Sequence, residues 1–230
     1  MEEQMTKVNL VSEPGTAISR TAAGLSFAST ATFVVLLAGL HLIKPELDPS
    51  WRFISEYAIG DYGWIMVSAF LSLALSYITL FIALRSQIRT IAGWLGLALL
   101  LVSAAGLAIA AIFTTDPITA GREAMTTEGK LHSLGGTLGF AMPFAAVLIS
   151  WGLARNPAWS SVRRSLFWSA ALALVGFLVS FLSLGVLLSQ SGGEFGPGVL
   201  VGWPTRFEML TYCTWLMVVA WDALRLNRQT

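Results

Sequence analysis

TIAGWLGLALLLVSAAGLAIAAIF, residues 90–113, holds no charged side chain and no proline. Its apolar residues go all the way round a helix instead of forming one stripe, so a helix made from it has no face for water. Crossing a hydrocarbon core of about 30 Å takes about 20 helical residues, and this stretch has them. Five more blocks read the same way, at 21–43, 63–84, 132–154, 165–190 and 205–224. The expected fold is therefore all-α, a bundle of six transmembrane helices over 21–224, flanked by an N-terminal segment 1–20 and a tail 225–230.

Composition agrees with a chain dissolved in lipid. Of 230 residues 55% are hydrophobic and 12% charged, against roughly 25% charged in soluble domains, and the mean hydropathy is +0.70. The first apolar block is longer than the roughly 7–15 residues of a cleaved signal core, so it is expected to be retained. The one cysteine, Cys213, lies inside the sixth block and can form neither an internal disulfide nor a CxxC metal site.

Orientation comes from the basic residues. With the N-terminus inside, the cytoplasmic segments carry Lys7, Arg20, Arg85, Arg89, Arg155, Arg163, Arg164, Arg225 and Arg228, nine of the 14. That bias places both termini in the cytoplasm, in the plasma membrane. Tryptophan is also banded, with Trp51, Trp64 and Trp203 at expected outer boundaries and Trp94, Trp151, Trp159, Trp168 and Trp221 at inner ones. Trp215 alone falls mid-span. The inner connections are short, whereas the outer ones at 44–62, 114–131 and 191–204 are long, and nine of 13 acidic residues lie in the outer segments. Long loops tend to carry function, so the outer face is the expected place for it.

Polar residues gather where these outer loops meet the spans: Ser55, Glu56, Tyr57 and Asp61 before the second, Asp116 after the third, His132 opening the fourth, Arg206 and Glu208 opening the sixth. If the helices bundle, these ends can converge on one outward pocket. Such residues also serve simply to mark helix boundaries, and an acid near a helix N-terminus is favourable through the dipole alone. His132 shares a face with Gly136 and Gly139, and Gly135 with Gly139 forms a small-xxx-small pair, so His132 is expected to point toward another helix. The two halves of the chain show no inverted repeat, and Pro143 is the one proline deep in a span, which speaks against a transporter built on repeats and broken helices.

The segments ISEYAIGDYGW (54–64), FTTDP (113–117) and GKLH (129–132), in that order, resemble the family catalogued as domain of unknown function 998. The resemblance implies prokaryotic multi-pass membrane proteins of about six spans. It marks Ser55, Glu56, Asp116 and His132 as motif positions and carries no activity with it.

Three functions fit the residues. The first is an outward site that binds or processes a lipid or small amphiphile. There His132 with Asp116 or Glu56 would act as an orienting pair or base, Ser55 as a conceivable nucleophile, and Arg206, Glu208, Asp61 and Tyr57 would hold the ligand. The second is a noncatalytic subunit that packs on other membrane proteins or on itself through small-residue faces. The third is haem b held between His41 and His132. Two histidines and no HxxxH or HExxH spacing imply no metal site. Membrane lipids are the expected partners, and no nucleic acid.

Overall fold

The computed structural model describes residues 18–226, excepting the Arg122 side chain; residues 1–17 and 227–230, most of the two expected terminal segments, lie outside the described residues. The described residues form α1 Arg20–Ile43, α2 Gly63–Leu84, α3 Ile91–Ile112, α4 Thr127–Gly139, α5 Met142–Ala154, α6 Arg163–Gln190 and α7 Gly202–Leu226. Side-chain oxygens start several of them: Ser19 accepts from the Ala22 amide, Thr90 from Gly93 and Thr126 from Gly129.

The fourth block differs from its expected form. Capping by Thr126 starts the helix before His132, and the rod breaks between Gly139 and Met142 into α4 and α5. Pro143 is the cause. It has no amide hydrogen to donate to Gly139, and its ring crowds that carbonyl.

The helices pack in a closed ring: α1 on α2, α2 on α3, α3 on both α4 and α5, α5 on α6, α6 on α7, and α7 back on α1. Small residues set the α3 contact. A Cβ at Gly106 would lie 2.5 Å from the Gly135 carbonyl oxygen, one at Gly135 would lie 2.6 Å from the Gly106 oxygen, and Gly96 abuts Ile149. The small faces at Gly106 and Gly135 are thus used inside this chain. Buried hydroxyls find partners across helices, as a bilayer interior demands. Ser76 bonds Ser26 and Thr30 between α2 and α1, and the Trp215 indole donates to Ser150 Oγ at 3.0 Å between α7 and α5.

The rods α1, α2, α3, α4–α5 and α6 are long and apolar enough to cross a membrane. The sixth, α7, has the length but a more polar sequence, with Arg206, Glu208, Asp222 and Arg225. It lies against α1 and α6 with Trp215, Leu216 and Val219 wholly buried. Six of the banded tryptophans are exposed, as a belt requires, but Trp51 and Trp159 are buried. Trp159 closes the short-turn end of the bundle: Asn156 donates to the Gln87 carbonyl and the Trp159 indole to the Gln87 side chain.

Candidate functional site

At the long-loop end the polar residues separate into two groups. The first is a clamp centred on Glu56, in the 3-10 turn Ile54–Ala58. Glu56 is 1% exposed, and its Oε1 accepts from Arg52 Nη1 at 2.7 Å and from the Ile118 amide at 2.9 Å. Its Oε2 accepts from the Phe53 amide at 3.0 Å. One carboxylate thus ties the α1–α2 loop to the α3–α4 loop.

Arg206, on α7, completes the clamp. Its Nε donates to His41 Nε2 at 2.8 Å, its Nη1 to the Arg52 and Gly202 carbonyls, and its Nη2 to the Tyr57 hydroxyl. Nearby, Lys44 donates to the Tyr57 and Ile59 carbonyls. His41 Nδ1 lies 2.7 Å from the Leu37 carbonyl oxygen and must carry the hydrogen there, so Nε2 is the acceptor for Arg206. Both ring nitrogens of His41 are engaged in hydrogen bonds in this structure. Asp61 is exposed and belongs to neither group.

The motif glycines around this clamp answer to backbone geometry. Gly60 sits at φ +69°, and a Cβ at Gly63 would strike the Ala58 carbonyl oxygen, so the chain can turn from the 3-10 segment into α2 only with glycine there.

The second group lines a cavity of about 910 Å³ enclosed by α2, α3, α4, α6, α7 and their loops. His132 is 7% exposed on the α4 wall. Its Nδ1 lies 3.1 Å from the Ala110 oxygen and 2.9 Å from that of Phe113, acceptors both, so Nδ1 carries a hydrogen and Nε2 is the acceptor of the neutral ring. No described residue hydrogen-bonds Nε2. Across the cavity Glu208 accepts from the Tyr212 hydroxyl at 2.7 Å, with Tyr77 and Ser180 on the same lining. Ser55 and Asp116 stand at the loop rim of the cavity.

Asp116 has a structural duty there. Its Oδ2 accepts from the Thr126 amide at 2.8 Å and its Oδ1 from the Thr126 hydroxyl at 2.9 Å, while Thr126 caps α4. Asp116 lies so close over Gly129 that any Cβ would overlap its carboxylate, which accounts for the pairing of FTTDP with GKLH. Asp116→Ala is expected to cost about 1–2 kcal/mol by unfastening this cap, read as faster amide exchange in the first turn of α4. Exchange confined to wild-type rates would refute the role.

His132 points toward α3 as expected, through the Ala110 carbonyl, whereas Gly136 and Gly139 on the same face meet open space. A Cβ at Gly136 or Gly139 has nothing within 4 Å, and all three residues line the cavity. The far wall is aromatic: Phe140, at the α4–α5 break, packs edge-on against Phe177 and Phe181 of α6. Tyr77, Tyr212 and Ser180 were not among the expected site residues. Tyr77 could have been found as a lone hydroxyl-bearing aromatic inside an apolar block. Among the described residues no group of three His, Cys, Asp or Glu could hold a metal ion.

No curated protein and no solved structure matches the chain. The family model described as "Protein of unknown function (DUF998)" matches residues 17–222, which take in both clamp and cavity. The chain belongs to that family.

Proposed function

We propose that the protein binds a single amphiphile in the α4–α6 cavity, with its chain along the aromatic wall and its polar end between His132 and Glu208. The carrying observation is the cavity itself. At about 910 Å³ it falls within the size of pockets that enclose small-molecule ligands, and its apolar lining ends on a few polar groups. Entry is from the side in this reading: α4 packs on α3, and apart from Phe140 against Phe177 and Phe181 it makes no comparable contact with α6. The basic short-turn end faces the cytoplasm of a plasma-membrane protein in this reading, and the cavity serves the outer leaflet.

The test is native mass spectrometry of the full chain released from mild detergent. Wild type is expected to retain one lipid-sized adduct, and Gly136→Leu, which pushes a side chain into the empty space, is expected to lose it with an unchanged melting temperature. Equal retention by both would locate the adduct elsewhere and overturn the proposal.

A further inference from the structure

We infer that the cavity selects an amphiphile whose head donates hydrogen bonds, a long-chain amine or alcohol, and rejects phosphate and carboxylate heads. This rests on the binding reading above and adds the chemistry of the head.

The argument begins with charge. Asp116, Glu194 and Glu208 line the cavity, and no described lysine or arginine does. Of the cations nearby, those of the clamp are largely engaged in it, and Lys130 on α4 is exposed outside the lining. Arg206 is held by His41, two carbonyls and Tyr57; Lys44 by two carbonyls; Arg52 by Glu56 at Nη1 and by the Trp51 ring at 4.2 Å, with its buried Nε left without a hydrogen-bond partner. An anionic head entering here would lose its hydration and meet no lysine or arginine among the described lining residues, which is costly in a low-dielectric site.

Hydrogen-bond polarity points the same way. The two carbonyls at Nδ1 fix the tautomer of the neutral His132 ring, and that ring offers the cavity an acceptor. Glu208 takes the Tyr212 hydroxyl on Oε1, and a carboxylate has about four acceptor sites, so it has acceptance left. The α4 and α7 walls therefore present acceptors. A head group with N–H or O–H donors matches both, and an ammonium adds charge complementarity to Glu208. The glycine face at Gly136 and Gly139 leaves the room below for the chain.

The experiment uses the full chain in lipid nanodiscs with four ligands of one dodecyl chain length offered in competition: dodecylamine, monododecanoylglycerol, dodecanoic acid and dodecyl phosphate. Adducts are counted by native mass spectrometry. The amine and the glyceride are expected to be retained at least about tenfold over the two anions, and Glu208→Gln to weaken the amine about tenfold while changing the glyceride far less. Retention of the anions equal to or above the others would overturn the head-group inference and leave binding intact. So would a well-folded Glu208→Gln that holds the amine like wild type. Should Glu208→Gln not fold, the wild-type competition alone decides. Failure to retain any of the four, or equal retention in Gly136→Leu, would take down the binding reading itself.

Discussion

Glu56→Ala is expected to destabilise the protein by about 3 kcal/mol, the lower end for breaking a buried ion pair. The removed carboxylate accepts three bonds: from Arg52, from the Phe53 amide and from the Ile118 amide. Ile118 is buried, so its amide is left without a partner where water does not reach. The lower end applies because Arg52 is 21% exposed and can recover some hydration. The measurement is the melting temperature in detergent, together with proteolysis of the 44–62 and 113–126 loops, which should become cleavable as they part. Glu56→Gln should fall between, since one oxygen still accepts. A Glu56→Ala protein that melts like wild type while losing ligand would show that the residue serves the site and not the scaffold.

Neighbouring glycines on α4 are expected to differ sharply. Gly135→Leu should cost about 3 kcal/mol or more, because its Cβ alone would lie 2.6 Å from the Gly106 oxygen and 2.9 Å from the Ala110 amide nitrogen. Backbone on both sides cannot rotate out of the way as a side chain could. The shift would also pull His132 from the Ala110 carbonyl, coupling helix packing to the site. Gly136→Leu meets nothing and should leave the fold intact. Size-exclusion profiles and melting curves of the pair check this, and similar behaviour of the two would refute the assigned contact.

The spans were legible because lipid permits few charges, and a run such as 90–113 has no second reading. The break in the fourth rod was present in the sequence as Pro143, but an apolar window is indifferent to it. Capping by Thr126 was likewise hidden, since Glu128 and Lys130 lie outside any hydropathy window. For the candidate site, depth could be read and direction was not. Arg206 and Glu208 open the same helix, yet two residues are about 200° apart around it, so one turns to His41 and the other to the cavity. Glu56 was grouped with His132 by depth, but three donors from two loops hold it in the clamp. Sequence shows no sign of the Ile118 amide that completes the set.

The polarity of α7 bears on how the chain is made. A lone helix carrying Arg206, Glu208 and Asp222 in its end turns would enter a bilayer less readily than the five apolar rods. Beyond its own helix Arg206 meets His41 on α1, Tyr57 and the Arg52 carbonyl in the following loop, and Asp222 accepts from Ser165 on α6. All of these precede α7 in the chain. The polar ends of α7 are therefore completed by segments made before it. Insertion and assembly are expected to be coupled for this helix, so that damage to the α1–α2 loop shows first as reduced membrane insertion of α7.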